Sequence, residues 1–247
     1  SMFTYLNENQ ILFSSDGFGQ HYAGPEKFDD QIDENSVMYH AKKYFANILL
    51  LYSTHIQKLL DDVLSLGLEF KMICPDHGII WRKDPGKIVD AYVRWCRQEP
   101  EKKAVVVYDT MWHSTQQMAH AIVSGISAEG VPAKPLHLRK THRSEIMTEV
   151  FDAGAVVVGS PTLNNQLYPS LSDFLTYMKG LKPLNKIGAA FGSYGWSGEA
   201  VKMINQELEA MKFDIIDPGL RIQYVPDKAA LESCYEFGRK IGKALAG

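Results

Sequence analysis

Long apolar runs, a cysteine framework and a surplus of positive charge are all missing from this 247-residue chain. No stretch approaches the roughly 18 apolar residues that a bilayer-crossing helix needs, so no membrane partner is expected. No secretory signal is recognised at the start. The three cysteines, Cys74, Cys96 and Cys234, stand far apart, odd in number and outside any C-x-x-C pair. Reduced thiols in a cytoplasmic protein, acting as small buried apolar side chains, explain them. A net charge of −3 argues against a nucleic-acid partner, because phosphate binding by charge shows as a basic surplus.

What is present is ordinary for a soluble globular protein: 45% apolar and 22% charged residues, in a chain long enough to bury a core. A polar stretch with a helix-ending proline, Arg97-Gln98-Glu99-Pro100-Glu101-Lys102-Lys103, divides it. Before the break, Ile11–Ser14 and Phe70–Cys74 read as short strands and Ser36–Leu66 as largely helical. A further helix near Lys87–Arg97 aligns Ile88, Ala91, Tyr92, Trp95 and Cys96 on one face. After it, strands and helices alternate. Ala104–Tyr108, Pro135–Leu138, Ala155–Gly159, Ile187–Gly192 and Leu220–Val225 are the strand candidates. Helices are expected from Ser114 and near Ser144–Ala153, Ser170–Lys179, Gly198–Met211 and Lys228–Leu245. The pattern predicts an α/β, doubly wound, five-stranded parallel sheet covered on both faces, with its ligand beyond the carboxyl ends of the strands.

Three loops leave those ends. Tyr108-Asp109-Thr110-Met111-Trp112-His113-Ser114-Thr115 runs straight into a helix, where unpaired backbone N–H groups and the positive helix end favour an anion. Its hydroxyls suit a monophosphate held by neutral hydrogen bonds; a serine at a helix start also reads as a simple cap. The loop is neither G-x-x-x-x-G-K-[ST] nor G-x-G-x-x-G. Gly159-Ser160-Pro161-Thr162-Leu163-Asn164-Asn165 and Phe191-Gly192-Ser193-Tyr194-Gly195-Trp196-Ser197-Gly198 complete the set. Trp112, Tyr194 and Trp196 are suited to flank a planar heterocycle.

With these loops in view, residues 103–247 resemble a flavodoxin domain, and the first loop resembles the phosphate loop of the flavodiiron proteins (A-type flavoproteins). The resemblance implies FMN, with Thr110, Met111, Trp112, His113, Ser114 and Thr115 around its phosphate. Pro161, Thr162, Leu163 and Asn164, with Ser193, Tyr194, Gly195, Trp196, Ser197 and Gly198, are implied around the ribityl chain and ring. Residues 1–100 resemble the C-terminal part of the same family's metallo-β-lactamase-like domain, an α+β segment. Phe13–Tyr22 matches the segment whose aspartate, here Asp16, bridges two irons. Cys74-Pro75-Asp76-His77-Gly78 matches that of a late histidine ligand, here His77. His21 and Tyr44 would lie near that iron pocket.

The family's upstream H-x-E-x-D-H cluster does not occur in these 247 residues. The iron site is therefore expected to be incomplete, with a diiron centre only if the missing N-terminal part is present. A truncated gene product, a deliberately shortened chain and a fragment of a clipped longer one are all open explanations. The resemblance implies an FMN-binding electron-transfer module of a flavodiiron O2/NO reductase, with rubredoxin or a similar carrier as electron donor. A homodimer, head to tail in the intact family, or pairing with the missing fragment is implied as well. The alternatives are a non-catalytic flavin-binding, electron-transfer fragment lacking a functional diiron site, and an interaction fragment with no flavin.

Overall fold

Valine and alanine dominate the runs Ala104–Tyr108 and Ala153–Gly159, and β-branched side chains favour extended backbone that is buried on both faces. In the computed structural model, which describes residues 2–247, these runs lie at the centre of a parallel sheet. The chain divides into two compact units, one reaching Glu99 and the other spanning Pro100–Gly247.

In the first unit, β1 (Thr4–Leu6), β2 (Ile11–Ser15) and β3 (Met72–Pro75) form a three-stranded sheet, with β1 antiparallel and β3 parallel to β2. Helices α1 (Glu34–Tyr44) and α2 (Ser53–Ser65) are separated by a π turn at Phe45–Leu49 and a 3-10 turn at Leu50–Tyr52. The sequence predicts helix throughout this region. The irregular turns fall where Tyr44, Phe45, Ala46, Leu49 and Leu50 are all buried. Helix α3 (Pro85–Arg97) has proline in its first turn, where a missing N–H costs nothing. It supplies Tyr92, whose hydroxyl accepts from the Phe18 N–H (2.9 Å).

The second unit runs β4 (Glu101–Tyr108), α4 (Ser114–Ala128), β5 (Ala133–His137), α5 (Arg143–Asp152), β6 (Ala153–Gly159), α6 (Pro169–Leu181), β7 (Ile187–Tyr194), α7 (Ala200–Ala210), β8 (Asp214–Ile215), β9 (Leu220–Gln223) and α8 (Lys228–Ala246). Every pairing is parallel, and the sheet order is β5-β4-β6-β7, with β8 and β9 both on the far edge of β7. The sheet therefore has six strands in five positions, against the five strands that the sequence pattern predicts. The fifth position is filled in two pieces, because Asp217-Pro218-Gly219 breaks the edge and proline has no N–H for a ladder. Alternate residues face opposite ways. Ala104, Val106, Tyr108, Ala155, Val157, Ala189 and Phe191 meet α4 and α8 in one core, and α5 and α7 pack along β4, β6 and β7. Chain order reverses between β4 and β6, and an open α/β sheet places its ligand at that point.

One residue of this unit is buried at an energetic cost. Lys186, just ahead of β7, is 3% exposed and donates from Nζ to the Phe151 carbonyl (2.8 Å). Burial lowers its pKa to about 8, partly offset by Asp152. A base whose folded pKa lies below its unfolded value costs stability while both states are protonated, and the cost is relieved as pH rises from about 8 towards 10.5. Lys186→Met is expected to abolish that rise, of order 3 kcal/mol, in chemical denaturation across this pH window. Parallel pH profiles for parent and variant would contradict it.

Candidate cofactor site

Four successive strand ends converge at the carboxyl edge of the second sheet and are laced together by their backbones. The Asp109 N–H donates to the Gly159 carbonyl (3.2 Å), Thr162 N–H to Ser193 carbonyl (2.9 Å), and Tyr224 N–H to Tyr194 carbonyl (2.7 Å). Between them lies a cavity of about 330 Å³ lined by Met111, Trp112, Ser114, Pro161, Thr162, Ser193, Tyr194, Gly195, Tyr224 and Val225. A larger cavity of about 620 Å³ lies in the first unit. Its walls are mainly aliphatic and aromatic, with Asp16 and His55 among them, and it lies away from the strand ends where an open α/β sheet places its ligand.

The first loop enters α4 through His113, whose φ of 67° is left-handed and whose side chain makes no cap bond. That ring instead pairs with Gln116 (Nδ1 to Oε1, 2.9 Å). Ser114 is therefore the first helical residue rather than the cap, and the N–H groups of the first turn keep no side-chain acceptor. Beside them the Thr110 hydroxyl is buried, and its Oγ1 has no hydrogen-bond partner within the protein. Thr115, fully buried, bonds through Oγ1 to Ser193 Oγ (2.8 Å), tying the helix start to the end of β7. A buried hydroxyl without a partner beside an uncapped helix start is a donor set short of an anion, and a phosphate supplies the acceptors.

Of the residues the sequence points to, Met111, Trp112, Ser114, Pro161, Thr162, Ser193, Tyr194 and Gly195 line the cavity. Thr110 and Thr115 are buried and His113 is exposed, and none of the three lines it. Leu163 and Asn164 belong to a tight turn closed by reciprocal Leu163–Gln166 backbone bonds (3.1 and 2.9 Å) and do not line it. Trp196 is 94% exposed. Ser197 bonds Glu199 and Asn165 (2.8 and 3.3 Å), and Gly198 is buried against the Tyr194 ring. Tyr224 and Val225, both well exposed, are the lining residues that sequence reasoning missed. The sequence pattern runs the last strand through Val225; β9 stops at Gln223, and Tyr224 turns away with φ 61°.

Asp109 is a third residue to which the sequence reading assigns no role. Its carboxylate is fully buried at the end of β4. Burial alone would raise its pKa, but bonds from Ser170, Thr110 N–H, His137 and Arg139 outweigh that and hold it below the usual value. In the first unit, His77 Nε2 lies 3.2 Å from Asp16 Oδ1, and both side chains are nearly half exposed. The His21 ring meets Tyr44 edge-on at 4.8 Å, with His77 at 6.0 Å from each. Burial and then Asp16 raise Tyr44 to about 12. Among the described residues, no group of three or more His, Cys, Asp or Glu side chains is gathered as a metal site would need.

Residues 106–238 match the flavodoxin family. The chain belongs to that family. Its similarity to longer proteins extends over both units. It is 48% identical over 247 residues to a nitric oxide reductase of Moorella thermoacetica, covering all of this chain and 62% of the relative. The solved structure of rubredoxin oxygen:oxidoreductase from Desulfovibrio gigas superposes with a TM-score of 0.97 at 39% identity, over 100% of this chain and 62% of that one. The flavodiiron protein of Giardia intestinalis gives 0.94 at 37% identity, over 99% and 60%. The chain thus carries the flavodoxin domain of the flavodiiron proteins and corresponds to their C-terminal portion, spanning about 60% of the length of these relatives. No helix among the described residues is long and apolar enough to cross a membrane.

Proposed function

We propose that the second unit of this flavodoxin-family chain binds FMN at the carboxyl edge of its sheet and serves as the electron-transfer module of a flavodiiron O2/NO reductase. The observation that carries the reading is the buried, partnerless Thr110 hydroxyl beside the uncapped start of α4. Thr110, Ser114 and the first-turn N–H groups would hold the phosphate. Thr162 and Ser193 would meet the ribityl chain, and Trp112, Tyr194 and Tyr224 would flank the ring. FMN, when bound, supplies reversible one- and two-electron chemistry. The protein orients it, and its exposed aromatic rim leaves the edge of the site open to a carrier such as rubredoxin. The likeness to the rubredoxin oxygen:oxidoreductase supports that donor class.

The purified protein is expected to be yellow and to release FMN, not FAD, on denaturation, as identified by chromatography of the supernatant. The cradle suits a single phosphate group, and the chain lacks the dinucleotide fingerprint. FAD in the supernatant, or an apoprotein that takes up no FMN, would contradict the reading.

A second reading, flavin-based electron transfer without a working iron centre, is favoured by the ligand geometry of the first unit. Asp16 and His77 lie within contact of each other, and a dinuclear site needs several more oxygen and nitrogen donors held by their own partners. Metal analysis of the 247-residue chain is expected to give iron far below stoichiometric. About two irons per chain, with intact mass showing no second polypeptide, would overturn that.

A further inference from the structure

We propose that Arg139, held by the buried carboxylate of Asp109, is a positioning residue that sets the peptide of the phosphate loop so that its donors face the ligand. The inference rests on the FMN reading above and extends it to residues outside the cavity wall. Asp109 Oδ1 accepts from the Thr110 N–H (2.6 Å), from His137 Nε2 (3.0 Å) and from Arg139 Nε (2.8 Å), while Oδ2 accepts from the Ser170 hydroxyl (2.5 Å). The other arm of the same guanidinium, Nη2, donates to the Thr110 carbonyl. One planar fork therefore grips two consecutive residues at the root of the loop.

The consequence follows from peptide geometry. In a planar trans peptide the carbonyl and the following N–H point in opposite directions. With the Thr110 carbonyl turned back onto Arg139, the Met111 N–H points away from Arg139. The Thr110 N–H is already taken by Asp109, so the donors left at this residue are its partnerless Oγ1 and the next N–H along. The carboxylate would also repel a nearby phosphate, and the guanidinium balances it. Ser170, at the start of α6, and His137, stacked on Tyr108 (5.2 Å, 6° between planes), close the remaining sides of the carboxylate.

Arg139 is the residue to change, because its side chain is 52% exposed whereas Asp109 is fully buried. Apoprotein of the full chain is titrated with FMN and, separately, with riboflavin, which lacks the phosphate. The parent is expected to prefer FMN strongly. Arg139→Gln is expected to lose about tenfold or more in FMN affinity while binding riboflavin as the parent does. Arg139→Lys keeps the charge but not the fork, and is expected to fall with Arg139→Gln. If Arg139→Gln is poorly folded by circular dichroism, Arg139→Lys carries the same comparison. Equal losses for FMN and riboflavin would make the network merely structural and overturn the inference. Parent-like FMN binding by Arg139→Lys would reduce its role to charge, and would overturn it too. A parent that binds the two flavins equally would instead sink the phosphate-cradle reading itself.

Discussion

Replacing Ser114 and Thr115 together with alanine is expected to weaken FMN binding on the order of a hundredfold. A hydrogen bond to a charged group contributes roughly 1.5–3 kcal/mol, and the loss of Thr115 adds an indirect effect through Ser193. The two hydroxyls act differently. Ser114 lines the cavity, whereas Thr115 is fully buried and bonded to Ser193, which itself lines it. The double change removes a direct donor and at the same time leaves the Ser193 hydroxyl without its tether to α4. Fluorescence titration of apoprotein checks the result, and unchanged affinity would place the phosphate elsewhere. Thr115→Ala alone is expected to fall between parent and double variant.

Gly125→Val is expected to destabilise the second unit by about 3 kcal/mol, enough to lower its melting temperature by roughly 10 °C. Helices α4 and α8 touch through two glycines. A Cβ at Gly125 would stand 2.0 Å from the Tyr235 carbonyl oxygen, and one at Gly238 would stand 2.2 Å from that of Ile122. The atoms in the way are backbone, so no rotamer change can yield, and the helices must separate. Separation would open the core that Met118, Ile122, Ile126, Cys234 and Ile241 fill above the sheet. Gly180→Ala is the control: nothing lies within 4 Å of its Cβ position. It should be neutral or stabilise by about 0.5 kcal/mol through helix propensity. Thermal unfolding of the apoproteins tests both, and equal melting temperatures for parent and Gly125→Val would contradict the close-packing account.

The alternating architecture was readable because each central strand announces itself locally. Val105, Val106 and Val107, and Val156, Val157 and Val158, are buried without exception, and such runs are legible in a single window. The apolar spacing at Met118, Ala121, Ile122, Gly125 and Ile126 marked α4 for the same reason. β1 and β8 were not legible, since two or three residues show no period. At the site, the loop contents were visible because donors and aromatics cluster in sequence at strand ends. Their division of labour was not. Trp196 reads like a ring-stacking partner but is almost wholly exposed, while Tyr224, taken for strand, lines the cavity. The clamp at Asp109 was invisible for a different reason. Its partners His137, Arg139 and Ser170 lie 28, 30 and 61 residues away, and only the folded sheet brings them to one oxygen pair.

The left-handed His113 also gains a physical explanation. A φ of 67° is a conformation that glycine adopts without strain and that other residues adopt at a cost. Here a histidine holds it, with its ring bonded to Gln116.

The most direct test of the account is a titration of apoprotein with FMN, followed by flavin fluorescence, with FAD run beside it. The account predicts quenching that saturates at one FMN per chain and much weaker uptake of FAD, because the cavity offers one anion cradle at the start of α4. No saturable FMN uptake, or FAD bound as tightly as FMN, would contradict it.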